Sequence, residues 1–255
     1  MKKQNRSLGV SDAEIIKIAV KSLGLDELGP FDPKKKIIEY QLRDAASAPL
    51  LAMDLRTFAD ETASDSPAPG GGSISAYVGA LGISLGTMVS NLSANKKSWN
   101  DKVELYSEWA VKGQELKDKL LELVDEDTHS FNNIIKAIRL PKSSPEEKTA
   151  RTLAIQEATK YATEVPLHVM EVTDATFAIM KKMAQIGNPN SASDAGVGAL
   201  CARAAIHGAY LNVKINAKDI SDKKFVSRVL KKAGELAKKA DKQEADILKM
   251  VNKLI

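Results

Sequence analysis

Between Asp65 and Lys96 the chain carries no charged residue. A helix on a protein surface needs a polar stripe at a period of 3.6 residues, so a helix through this segment has no face suited to water. It must lie in the middle of a helical bundle or in a bilayer. Its composition separates the two settings. Glycine, alanine and serine dilute its hydrophobicity, whereas a spanning helix wants about 20 strongly apolar residues. Gly82-Ile-Ser-Leu-Gly86 places two glycines one turn apart, which lets neighbouring helices approach closely. The segment is read as a buried central helix over about 73 to 93, and membrane insertion is set aside.

The rest of the sequence surrounds that helix with more helix. Among 255 residues, 44% are hydrophobic, enough for a substantial core, and only 5% are aromatic. Alanine, leucine, isoleucine and lysine dominate, and no alternating stretch is long enough for a half-buried strand. The net charge of +4 comes largely from lysine-rich ends with few interleaved aromatics. It is read as solvated helix faces and not as a nucleic-acid site. Cys201 is the only cysteine, which excludes a disulfide framework and makes a cytoplasmic setting the default. His129, His168 and His207 lie 39 residues apart, which is not metal-ligand spacing. The first residues, Met1-Lys-Lys-Gln-Asn-Arg-Ser7, lack the apolar stretch of a secretory signal.

Helix punctuation divides the chain. Ser11-Asp-Ala-Glu14 is a capping box for a helix stopped at Gly24. Gly29-Pro30 and Asp32-Pro33 then interrupt the chain, and a connector is expected near Asp44 to Pro49. Residues 1–50 are thus read as an appendage and 51–255 as the main helical domain. In the latter, a helix is expected from Met53 to about Thr62, then the loop Ser64 to Ser73 and the uncharged helix. A long amphipathic helix follows from about Trp99 to Leu140, closed by Pro141. Ser144-Pro-Glu-Glu147 opens a helix able to reach Ile186, with a kink expected at Pro166 and a stop at Gly187. Ser191 to Ser193 start another helix to about Ala217, and Ser221-Asp222 start the last. The fold class is all-α, an antiparallel bundle of five to six main helices.

Within this pattern Asp127 stands out. Leu123, Val124, Phe131, Ile134 and Ile135 flank it at helical spacing, so a carboxylate falls in the apolar stripe beside Asp125 and Glu126, which are expected on the exposed side. Burial raises a carboxyl's proton affinity, which suits general acid–base work. A buried aspartate satisfied by a structural partner fits the same pattern. Gly70, Gly71, Gly72 and Ser73 join a loop to a helix start, where main-chain N–H groups can meet a ligand; a tight turn has the same composition. Asn212 and Asn216 lie one turn apart on a largely apolar helix and suit either a flat heterocycle or a neighbouring helix. Asn188, Ser193 and Asp194 sit at a helix start as capping residues or ligand contacts. Lys142 follows Leu140-Pro141, as a solvated lysine or a cation near substrate. Cys201, among Gly198, Ala199, Leu200, Ala202 and Ala204, reads as a small buried thiol.

The same residues carry a family resemblance. Ala68-Pro-Gly-Gly-Gly-Ser73, the Ala/Gly helix ending Gly86-Thr-Met-Val89, and Leu123-Val-Asp-Glu-Asp-Thr-His-Ser-Phe131 resemble the cyclodeaminase domain of formiminotransferase-cyclodeaminase. Arg139-Leu-Pro-Lys142, Gly187-Asn188, Ser193-Asp194, Gly208-Ala-Tyr-Leu-Asn-Val213 with Asn216, and Asp219-Ile-Ser-Asp222 continue it, in order, from about Met53 to the C-terminus. Lys3 to Ser11, Ala19 to Asp26, Pro30 to Pro33 and Ile37 to Tyr40 are similar to the tail and linker of the transferase half in bifunctional enzymes. The family also holds stand-alone methenyltetrahydrofolate cyclohydrolases.

This resemblance implies an enzyme of histidine-derived one-carbon metabolism. It would close 5-formiminotetrahydrofolate to 5,10-methenyltetrahydrofolate with release of ammonia. Asp127 matches the family's catalytic aspartate. The resemblance assigns Gly70, Gly71, Gly72, Ser73, Asn188, Asp194, Asn212 and Asn216 to pterin and substrate-wall contacts. Lys142, Lys96 and Lys97 become candidates for the glutamate tail of a polyglutamylated folate, whose carboxylates need cations. The implied reaction needs no metal or redox cofactor. The implied assembly is a homodimer with the site near the subunit interface, and a separate formiminotransferase is a further partner. A methenyltetrahydrofolate cyclohydrolase and a non-catalytic folate-binding or scaffold subunit are the alternative readings.

Overall fold

The computed structural model describes residues 7–27, 29–42, 49–96 and 102–255. Within them the uncharged segment forms a single helix from Gly71 to Ala94, with Gly72, Ser73, Ala76, Ala80, Ile83, Val89 and Ser93 buried. This helix is long and apolar enough to cross a membrane by length and composition, but most of its length is covered by other helices. Its serines and Thr87 do not compete with the backbone, because Ser75, Ser84, Thr87 and Ser93 each donate to the carbonyl four residues earlier.

Nine α-helices, and no strand, occur among the described residues. In chain order they are α1 (Asp12–Ser22), α2 (Pro33–Lys36), α3 (Ile38–Leu42), α4 (Leu55–Thr62), α5 (Gly71–Ala94), α6 (Val103–Ile138), α7 (Pro145–Ile186), α8 (Ala192–Ala217) and α9 (Lys223–Val251). The five long ones, α5 to α9, are the main bundle, as the sequence pattern predicts. Helix α5 packs chiefly on α6 and α8, with α7 closing the core behind it and α9 lying across α7 and α8.

The predicted helix ends come from local chemistry. Ser144 and Glu147 form the expected capping box, Pro145 sits at the first helical position and Gly187 ends α7. Pro166 lies inside α7, which continues as one helix of 42 residues. Asp222 caps α9 through the Phe225 N–H, and Asp54 caps α4. Ser11 caps α1 through the Glu14 N–H, and Gly24 adopts the left-handed φ of +65° that stops a helix.

Antiparallel packing of α5 and α8 depends on glycine at Gly82. A Cβ there would lie 2.9 Å from both the Cys201 Cβ and the Gly198 carbonyl oxygen. Cys201 is half-buried in this contact, where desolvation pushes its thiol pKa up, in keeping with a packing role.

At the other end of the chain, residues 7–9 are stitched across α5 and α6. The Leu8 N–H donates to Ser107 Oγ at 3.1 Å, and the Gly9 carbonyl accepts from Asn91 at 2.8 Å and Gln114 at 3.1 Å. Residues 44–48 of the expected connector and the expected helix start at Trp99 lie outside the described residues.

One expectation is corrected. Asp125 is not on the exposed side of α6: it is only 4% exposed. The main-chain N–H groups of Leu50 and Leu51 come down on its carboxylate at 2.9 and 3.3 Å. A segment 74 residues earlier thus covers a side chain that the helical period alone assigns to solvent.

Candidate active site

The N-terminus of α5 points at the C-terminal third of α6. Gly70 offers no side-chain cap, so the first N–H groups of α5 need acceptors from elsewhere. Asp127 supplies one. Its Oδ2 accepts from the Ser73 N–H at 2.9 Å and from the Ser73 hydroxyl at 3.1 Å. A Cβ on Gly72 would stand 2.1 Å from Asp127 Oδ1 and 2.6 Å from Oδ2, so only a glycine lets the carboxyl lie against this helix start.

The electrostatics pull in two directions. Burial raises the Asp127 pKa above the usual aspartate range, and the Ser73 hydroxyl and N–H oppose that rise without cancelling it. The positive end of the α5 dipole favours the ionised form as well. A carboxyl so placed can hold a proton and release it in turn.

Asp127 opens onto a cavity of about 130 Å³. The structure brings four other predicted residues into its lining: Gly70, Gly71, Asn212 and Asn216. Helix α8 runs antiparallel to α5, which carries its C-terminal asparagines to the start of α5. Thr128, Ser130, Phe131 and Ile134 of α6, Ala162 of α7, and Pro67 and Ala68 of the preceding loop complete the wall. Among the described residues of that lining, Asp127 is the only charged one. Gly72 and Ser73 are buried behind the carboxylate, with Ser73 fully enclosed.

The other predicted residues lie elsewhere in the chain. The Asn188 N–H donates to Ser93 Oγ at 2.9 Å, at the far end of α5, and the Asn188 side chain caps the 3-10 turn Pro189–Ser191. At 1.5 Å per residue, Ser93 is roughly 30 Å from Ser73. Asp194 stands in the first turn of α8, roughly 27 Å along its axis from Asn212. Lys96 follows the C-terminus of α5, and Lys97 lies outside the described residues. Lys142 is exposed beyond the C-terminal end of α6, at the same end of the bundle as the cavity.

Comparison with known proteins assigns the chain to a family. The formiminotransferase-cyclodeaminase family model matches residues 54–235, which include the whole cavity. The chain belongs to the formiminotransferase-cyclodeaminase family. A formiminotransferase domain model matches residues 1–43, the segment that carries α1 to α3. Formimidoyltransferase-cyclodeaminase of Rattus norvegicus is 37% identical over 234 residues, covering 91% of this chain and 43% of that protein. Methenyltetrahydrofolate cyclohydrolase of Methylorubrum extorquens is 39% identical over 177 residues, 69% of this chain and 85% of that one. The crystal structure of formiminotetrahydrofolate cyclodeaminase from Thermotoga maritima aligns with a TM-score of 0.70 at 31% identity, covering 80% of this chain and 98% of that chain. This chain spans 43 to 45% of the length of the formimidoyltransferase-cyclodeaminases it matches.

Several residues of this cavity escape sequence reasoning. Thr128 and Ser130 look like ordinary polar residues beside a conspicuous aspartate, and Ala162 looks like generic helix. Only the packing of α7 against α6 and α8 makes Ala162 a cavity wall.

Proposed function

We propose that this chain is a formimidoyltetrahydrofolate cyclodeaminase, an ammonia-lyase that closes 5-formiminotetrahydrofolate to 5,10-methenyltetrahydrofolate. The observation that carries this reading is a single carboxyl of raised proton affinity, fixed by Ser73 at the mouth of a helix and open to a small cavity. In the proposed reaction the amidine enters protonated, and folate nitrogen-10 attacks its carbon, carried on nitrogen-5, forming a carbon–nitrogen bond. Asp127, ionised at the outset, takes the proton from nitrogen-10. It then returns that proton to the amino group of the tetrahedral adduct, whose carbon–nitrogen bond breaks to release ammonia and the methenyl cation. Proton count and charge balance with one carboxyl acting as base and then acid. Such chemistry is assisted by proton transfer and involves no redox change, and a cytoplasmic setting suits it.

A pocket for a whole drug-sized ligand usually has about 300 Å³ or more. The cavity is smaller and fits the reacting centre, with the rest of the folate running outward over Phe131 toward Lys142 as a cation for glutamate carboxylates. The homodimer belongs to the same proposal. Leu81, Met88 and Leu92 form an exposed apolar stripe on α5, and Val197, Leu200, Leu211 and Ile215 form another on the adjoining α8. A second copy on this face would cover both stripes. The match of residues 1–43 to a transferase domain makes a formiminotransferase the natural source of substrate.

The cyclohydrolase relative supports a second reading, in which water opens the methenyl ring. One assay separates them: purified protein is given 5-formiminotetrahydrofolate or 5,10-methenyltetrahydrofolate while methenyl absorbance and ammonia are followed. Methenyl formation with ammonia supports cyclodeaminase. Methenyl loss without ammonia supports cyclohydrolase. Neither change points to a folate-binding subunit and ends the proposal.

A further inference from the structure

The two asparagines of the cavity are held in defined orientations. Asn212 Nδ2 donates to the Gly208 carbonyl at 3.0 Å, and Asn216 Nδ2 donates to the Ala162 carbonyl at 2.7 Å. A carbonyl oxygen only accepts, so in each amide the NH2 end is the one turned to the helix walls, with one of its two N–H groups bonded there. The Oδ1 ends receive no hydrogen bond from the described residues. Asp127 is divided in the same way, since Ser73 occupies Oδ2 twice and no described residue donates to Oδ1.

The side-chain hydroxyls of the cavity are engaged within the protein. Ser130 Oγ donates to the Asp127 main-chain carbonyl at 2.8 Å, and Thr128 Oγ1 pairs with Ser73 Oγ at 3.5 Å. The start of α5 would by itself attract an anion, but Asp127 already provides one from within the protein. No other charged side chain among the described residues lines the cavity: α5 has none, and α7 and α8 contribute Ala162, Asn212 and Asn216. Three acceptor oxygens with one negative charge, and no side-chain cation, make a surface complementary to a small cation rich in N–H groups.

We infer that Asn212 and Asn216, together with Asp127, form a recognition site for an amidinium group. An amidine is protonated at neutral pH and then has N–H donors and no acceptor, which matches this oxygen set. The identity of the cation rests on the cyclodeaminase reading, while the acceptor geometry stands independently of it. In that reaction the two amide oxygens hold the nitrogen that will leave, turned toward Asp127. A substrate whose leaving group is water offers fewer donors to these oxygens, so the same geometry favours deamination over hydrolysis.

The test titrates three small probes of similar shape into the full chain: formamidinium chloride, neutral formamide and sodium formate. Binding is read from the carbon-13 shift of the Asp127 carboxyl, identified by its disappearance in Asp127→Asn. The expected order places formamidinium first, at least about tenfold tighter than formamide, with formate weakest. Asn212→Leu and Asn216→Leu should each weaken formamidinium about tenfold. The wild-type ranking needs no substitution, so it decides the matter even if a variant fails to fold. Formamide or formate binding as tightly as formamidinium, or no response to formamidinium, overturns the inference. A chain that ranks the cation first but does not convert 5-formiminotetrahydrofolate loses the cyclodeaminase reading and keeps the site. A chain that converts it but shows no cation preference loses the site alone.

Discussion

One oxygen of Asp127 takes both hydrogen bonds that Ser73 can give, from the main-chain N–H at 2.9 Å and from the hydroxyl at 3.1 Å. The first belongs to the set of N–H groups that every helix leaves unpaired at its start, so Asp127 completes α5 while α5 orients Asp127. Structural and chemical roles therefore meet in one carboxyl.

Asp127→Asn should keep the fold, because an amide oxygen can still accept from Ser73, but it can neither take nor return a proton. Turnover of 5-formiminotetrahydrofolate should fall by about 10² to 10⁴. Near-normal turnover in this variant would remove Asp127 from the mechanism.

The raised pKa also predicts how this residue affects stability. The folded state holds the Asp127 proton more tightly than the unfolded chain does, because burial disfavours the charge. Its contribution is favourable below the unfolded carboxylate range and is lost as pH rises through the folded pKa. Asp127→Asn should therefore melt at a higher temperature than the wild type at neutral pH. The difference should close below about pH 4. In turnover, the acid limb of kcat/KM should have its midpoint above the ordinary aspartate value of about 3.9. A thermal melt series against pH checks the first expectation and a rate profile the second.

Gly72→Ala tests the close approach of α5. The new Cβ would stand 2.1 Å from Asp127 Oδ1, so the carboxyl must swing away from Ser73. Overpacking of this kind costs about 1 to 3 kcal/mol. Activity should fall by about 10², the loss that follows when a reacting group is displaced by about 1 Å. An unfolding titration beside the turnover assay separates the two effects, and an alanine variant with full activity would show that the carboxyl need not lie against the helix start.

Asp125→Ala serves as the contrasting variant. Asp125 meets Leu50 and Leu51, not the cavity, and hydrogen bonds to a charged group contribute about 1.5 to 3 kcal/mol. Stability should drop by about that amount, with hydrogen exchange rising at Leu50 and Leu51, while the acid limb of the rate profile stays in place. A shift of that limb would mean that Asp125 acts on the chemistry.

The helices were legible in the sequence because their signals are local. Ser144 with Glu147, Asp222 and Gly187 act within a few residues of where they stand, and the uncharged run between Asp65 and Lys96 admits only a buried helix. Asp127 was visible as a carboxylate in an apolar stripe, yet the same reasoning misplaced Asp125. Successive residues turn by about 100° around a helix. Asp125, Glu126 and Asp127 therefore face three directions, toward Leu50, Tyr161 and Ser73. What waits in each direction is set by distant segments.

The sequence by itself determined which long segments are helical, where most of them stop, that α5 is central, and which carboxyl is out of place on its face. These follow from periodicity, capping and the cost of burying charge. Only the tertiary structure decided that Asn212 and Asn216 join Asp127, that Asn188 and Asp194 stand roughly 27 to 30 Å away within the same chain, and that Ser73 lies behind the carboxylate instead of lining the cavity. The reason is antiparallel packing. It brings the end of α8 to the start of α5, and no local pattern records which end of one helix will lie beside which end of another.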